Sequence, residues 1–198
     1  MRFLLDEARA AGALLDNREN DEAAVAFRAV NAKLRAAGIT SAQVSRGLAI
    51  ALDYLDRVDQ AFDAILNAAK SDPLSPGVNH SLDVICVRLR EKLTAMDATD
   101  ERIPKWYGML FEVGRADVDV RIALVNHLAA TGRTPEARRH AEALTLVFAD
   151  SAATWLTLAA LARAAGDTTV AEEAGAKAQS VAEDGPLTSP KLNEGKRQ

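Results

Sequence analysis

The side chains able to do chemistry are few and badly spaced for it. His80, His127 and His140 share no HxxxH or HExxH spacing, and no acidic cluster surrounds them in a metal-ligand pattern. Residues 16–22 (DNRENDE) resemble a calcium loop superficially, but Arg18 fills a ligand place and the required glycine is missing. They read as an interhelical turn with N-caps. No GxxxxGK[ST], GxGxxG or GxSxG occurs, and Ser, His and Asp form no local arrangement that selects a hydrolase. The acidic series Asp53, Asp56, Asp59 and Asp63 straddles a turn, so capping and solvation explain it better than paired-carboxylate catalysis. The single cysteine, Cys86, lies in the apolar run 82–89 and reads as a small buried hydrophobe. The expectation is a chain with no catalytic residue, no bound metal and no cofactor, and hence not an enzyme.

Composition narrows the class further. Of 198 residues, 48% are hydrophobic but only 5% aromatic, and alanine is abundant, which favours helices over sheets. The formal net charge is -4, and basic and acidic residues alternate along most of the chain, so nothing suggests a non-specific polyanion binder and no nucleic acid is expected. Met1-Arg2-Phe3-Leu4-Leu5 runs into Asp6 and Glu7, which lacks the apolar run of a signal peptide, and no stretch has the length of a membrane span. A cytoplasmic protein without membrane insertion is the expectation.

Repetition organises what remains. Aligning Gly132 with Gly166 pairs Leu124 with Leu158, Leu128 with Ala162, Ala137 with Ala171, Leu144 with Ala178 and Val147 with Val181, all at the same offset. That offset is a repeat period of about 34 residues. A second unit spans residues 42–75, with Leu48-Ala49, Leu52, Ala61, Ile65, Ala68 and Pro73. A weaker copy starts near Leu4, with Ala11, Leu14, Ala23, Phe27 and Val30, and Phe27 precedes Ile65 by slightly more than one period. In the last unit, Trp155, Leu158-Ala159, Ala162, Gly166 and Ala171 follow the Trp, Leu-Gly, Tyr, Ala order. This pattern resembles the tetratricopeptide repeat (TPR) family, which implies an all-α fold, an α-solenoid of about five antiparallel helix-turn-helix repeats in a TPR-like superhelix. Residues 1–185 would form that domain. Its third hairpin, about 76–116, is degenerate, with Arg90 and Thr99 at apolar and small places and Pro104 in the first turn of a helix.

The periodicity and turn residues predict ten helices, at 2–15, 20–36, 41–55, 58–70, 78–95, 101–113, 118–131, 134–148, 151–165 and 168–183. Gly38, Gly114, Gly132 and Gly166 are placed to end helices in the left-handed conformation, and Asp56, Asp59, Thr134-Pro135 and Asp167-Thr168 supply turns and N-caps. Ala49, Ala61, Ala68, Ala137, Ala159 and Ala171 belong at close helix crossings. The weakly hydrophobic last helix caps the array itself. Residues 186–198 contain two prolines and no periodicity, and are expected to lack fixed structure.

The resemblance also implies a function. In that family the first helix of each hairpin lines the concave face, where peptides bind. The implied partner-binding residues are Arg46, Ile50, Asp53 and Tyr54 in the second hairpin, Asp119, Ile122, Asn126 and Ala129 in the fourth, and Ala153, Leu156, Ala160 and Arg163 in the fifth. The expected role is a protein–protein interaction scaffold or assembly factor holding a peptide or helix of another protein. The alternatives are a secretion- or pilus-type chaperone for an aggregation-prone partner, and an enzyme or ligand sensor using the irregular central hairpin. A homo-oligomer through a terminal repeat is a further option.

Overall fold

The structure, a computed structural model, describes residues 2–184; the segment 186–198 lies outside the described residues. Among the described residues ten helices follow one another: α1 Arg2–Asp16, α2 Asn20–Ala36, α3 Ala42–Tyr54, α4 Val58–Ser71, α5 Pro76–Thr94, α6 Ile103–Glu112, α7 Val118–Ala130, α8 Thr134–Val147, α9 Ala152–Ala164 and α10 Thr168–Asp184. No strand occurs among the described residues. The fold is all-α and of the α-solenoid type. Two compact units are present, the first made of residues up to Ala95 with Gly108–Arg115, the second of Met96–Tyr107 with the described residues from Ala116 onward.

Six helix ends share one turn chemistry. Gly38, Gly114, Gly132 and Gly166 have φ of 71°, 68°, 79° and 76°, as their spacing predicts. Each sits in a Schellman motif: the Ile39 N–H donates to Leu34 O at 2.9 Å and the Gly38 N–H to Arg35 O at 2.9 Å, and the same two bonds recur at the other three glycines. The ends of α1 and α3 use the same motif without glycine. Arg18 and Asp56 occupy the left-handed position with φ of 64° and 60°. The N-caps expected around them are therefore not formed: Glu19 and Arg57 precede α2 and α4 without a side-chain capping bond. Ser41, Asp117 and Asp167 do cap, accepting from the N–H groups of Val44, Val120 and Val170. Helix α5 starts at Pro76, two residues earlier than its apolar stripe suggests, because proline suits the first helical position.

Within the first unit α1 to α5 pack in succession, each on the next, and α3 also touches α1 and α5. Phe27, Leu48, Leu52, Phe62, Ile65, Leu89 and Leu93 form buried apolar positions there. In the second unit α7 to α10 stack in the same manner, with α7 meeting α9. Their core holds Leu124, Val125, Leu128, Leu144 and Leu158, with Tyr107, Phe148 and Trp155 packed against it. All six alanines assigned to close crossings are buried.

Repeat spacing is visible in the helix starts. Helices α3 and α5, α7 and α9, and α8 and α10 each begin one period of about 34 residues apart. The central hairpin departs from this regularity. Helix α5 has 19 residues and α6 only 10, and their starts lie much further apart than those of α3 and α4.

Candidate functional site

Helix α3 presents Arg46, Ile50 and Tyr54 at steps of four, which places them on one face, one turn apart. In the structure that face is a ridge with clefts on both sides. One cleft of about 520 Å³ runs between α1 and the start of α3, and includes Leu5, Leu15, Phe27, Arg46, Gly47 and Ile50. A second of about 520 Å³ adjoins it at Leu15, Asp16, Arg18, Asn20, Ile50 and Tyr54. A third of about 230 Å³ lies between α3 and α5, where Arg46, Ile50, Asp53 and Tyr54 meet His80, Ser81, Val84 and Arg88. Ile50 lines all three. Tyr54 is 63% exposed, an aromatic surface available to a partner.

Three polar links fasten α3 and the turn after it to α5. Arg46 Nε donates to Ser81 Oγ at 2.9 Å, and Ser81 Oγ in turn donates to Gly77 O at 3.0 Å. Arg88 Nη1 lies 3.2 Å from Asp53 Oδ1 and also donates to the Asp53 carbonyl at 3.3 Å. Lys92 Nζ lies 2.6 Å from Asp56 Oδ2. Burial raises the Asp53 carboxyl above its ordinary range, and the neighbouring Arg88 charge only partly opposes this. Asp53 is thus 8% exposed and already paired. It holds the wall of the cleft and leaves little for a peptide to contact, unlike the solvated side chain the sequence suggests.

A close approach shapes the cleft between α1 and α3. A Cβ at Gly47 would stand 2.4 Å from the buried Phe27 ring, so this glycine lets α2 and α3 cross. At Gly77 a Cβ would stand 3.4 Å from Arg46 Cζ, leaving room for the guanidinium beside the first turn of α5. Neither glycine stands out in the sequence, and nor do Ser81 and Arg88. The signal for Ser81 and Arg88 is a shared offset of 35 from Arg46 and Asp53, hidden because α5 breaks the residue pattern of the other hairpins.

The remaining anticipated contacts lie in the second unit. Asp119 stands in the first turn of α7, and Asn126 and Arg163 are exposed on α7 and α9. Asp119, Asn126 and Arg163 make no side-chain hydrogen bond or ion pair among the described residues. Ile122 is half-buried and packs on the core around Leu124, so structural packing accounts for much of its surface. His127 is buried with Nδ1 2.9 Å from Ala98 O, while His140 borders a small cleft with Tyr107 and Val147. Burial pushes the Cys86 thiol up to about 11. Among the described residues no group of three or more His, Cys, Asp or Glu is placed to hold a metal ion. None of the described helices is long and apolar enough to cross a membrane.

No protein-family model and no curated protein matches the chain. Solved structures do resemble it. A MamA structure from AMB-1 is 16% identical, with 93% of this chain and 94% of that chain covered at a TM-score of 0.46. YrrB, described as a TPR protein with an unusual peptide-binding site, is 16% identical over 90% of this chain and 86% of its own, with a TM-score of 0.42. TTC0263, a thermophilic TPR protein of Thermus thermophilus, is 18% identical over 91% and 92%, also at 0.42. Its periodic helix starts and stacked hairpins make the chain a helical-repeat protein, and TPR proteins are among the solved structures similar to it.

Proposed function

We propose that this chain is a non-catalytic protein–protein interaction module that holds a short amphipathic segment of a partner protein across α3. The observation that carries this reading is the ridge Arg46, Ile50 and Tyr54, flanked by adjoining clefts that all share Ile50. Such a surface joins an aliphatic contact, an exposed aromatic ring and separated polar groups, and suits a side-chain-rich segment better than an enclosed metabolite. Asp53 acts in it through Arg88, by holding α5 against α3. Asp119, Asn126 and Arg163 offer a further polar contact surface in the second unit. The module works in the cytoplasm, and its ligand is another protein.

Affinity purification from the source cell with mass spectrometry tests this directly. Tyr54→Ala and Ile50→Glu should each weaken capture of the same partners by about 1 to 3 kcal/mol, with helicity unchanged. Arg28→Glu on α2, outside the three clefts, should leave capture intact. Loss of capture in Arg28→Glu with retention in Tyr54→Ala and Ile50→Glu would place the binding face elsewhere.

A further inference from the structure

The charge lining these clefts runs against that of the chain. Net charge is -4 overall, yet the clefts are bordered by Arg9, Arg18, Arg46 and Arg88 against only Asp16 and Asp53. Arg88 is paired with Asp53, and Arg9 lies 3.4 Å from Asp6. Arg18 and Arg46 meet no carboxylate among the described residues.

Arg46 differs from Arg18 in being held. Its Nε is committed to the buried Ser81 hydroxyl, and Gly77 leaves space beside the guanidinium carbon. The Nη end of the fork is left for a ligand, in a half-buried cleft where a charge-assisted bond is stronger than in bulk water. A guanidinium fixed through one nitrogen also loses less freedom when it binds a planar carboxylate through the others.

We propose that the groove selects acidic segments, with Arg46 as the carboxylate-recognising group and Ser81 and Gly77 as the residues that position it; this rests on the groove reading above. The occupant is a partner-protein segment that carries Asp or Glu about one helical turn, roughly 6 Å, from a bulky apolar side chain seated on Ile50. Ser81 and Gly77 act only through the orientation of Arg46.

The test uses the full chain and an array of short synthetic peptides. Each carries a pair of bulky apolar residues, flanked at varied distance by Glu, Gln or Lys. The chain should bind Glu peptides about tenfold better than their Gln counterparts, with the advantage shrinking as salt rises. Arg46→Glu should reverse the order in favour of Lys peptides. Arg46→Lys keeps the charge but loses the fork, and should lose most of the Glu preference. Ser81→Ala should reduce that preference several-fold at unchanged helicity. Equal binding of Glu and Gln peptides by the unsubstituted chain, or an unchanged order in Arg46→Glu, would overturn the acidic selectivity while leaving the groove in place, provided Ile50→Glu abolishes binding. Peptide binding untouched by Ile50→Glu and Tyr54→Ala, or no binding to any peptide, would overturn the groove reading together with this one.

Discussion

Individual side chains in this protein are constrained in opposite electrostatic directions. Asp53 has its carboxyl raised by burial, so protonation is favoured in the folded state. Its contribution to stability therefore falls as pH rises from the ordinary carboxylate value through the raised one. Asp100 is half-buried, and the hydrogen bonds it accepts from the Arg102 side chain and backbone N–H lower it to about 2. Its contribution is present above the unfolded value and is lost as pH falls through about 2. Carbon-detected NMR titration of the aspartate carboxyls should show the two midpoints displaced to opposite sides of the usual range. Two ordinary midpoints would remove both the burial argument and the capping-type bonds at Asp100. The Asp53 shift could not be read from sequence, because it depends on burial against α5 and on Arg88, a distant residue on that helix.

Helices were the most legible level. All ten appear near the positions that periodicity predicts, because the apolar stripes and the terminal glycines agree with each other. The failures occur where one backbone conformation is met by two kinds of residue. Arg18 and Asp56 stand at left-handed helix ends that glycine fills elsewhere, so Asp56 is a turn residue, and Asp59 lies in the first turn of α4, which has no side-chain capping bond. Arg18→Gly should accordingly stabilise the fold by about 1 kcal/mol, relieving the Cβ strain of that conformation. Gly47→Ala should do the reverse. Alanine favours a helix by about 1 kcal/mol, but the new methyl would strike the Phe27 ring, and overpacking of this kind costs about 1 to 3 kcal/mol. Denaturant melts of both variants measure the two signs, and a more stable Gly47→Ala would show that the α2–α3 crossing is loose. Of the proposed binding ridge, the sequence supplied the α3 side, with Arg46, Ile50 and Asp53 expected on one face and Tyr54 at its border. It concealed the α5 side, since that wall comes from the hairpin whose helix lengths depart from the rest.

At the scale of each compact unit, packing links helices to those one or two places away, among α1 to α5 and among α7 to α10. Stability in such a chain is a sum of local terms more than a single global one. Phe62→Ala, which empties a fully buried site on α4, should cost about 3 to 5 kcal/mol locally. Hydrogen exchange should then accelerate in α3 and α4 much more than in α9 and α10. Uniform acceleration through all ten helices would instead reveal one cooperative unit.

The equal step between the starts of α7 and α9, and again between α8 and α10, bears on how such a chain can change length. Residues 118–151 begin at one helix start and stop just before its equivalent, so a tandem copy placed after 151 would present each new helix with the kind of neighbour it already has. Growth by whole hairpins is thus a small step in sequence and keeps the terminal glycines, Gly132 and Gly166, in phase. An insertion of any other length within that block would have to be looped out at a turn or would rotate one helix face away from its mate by about 100° per residue. Heritable length in this molecule is quantised by the same spacing that lets its hairpins stack.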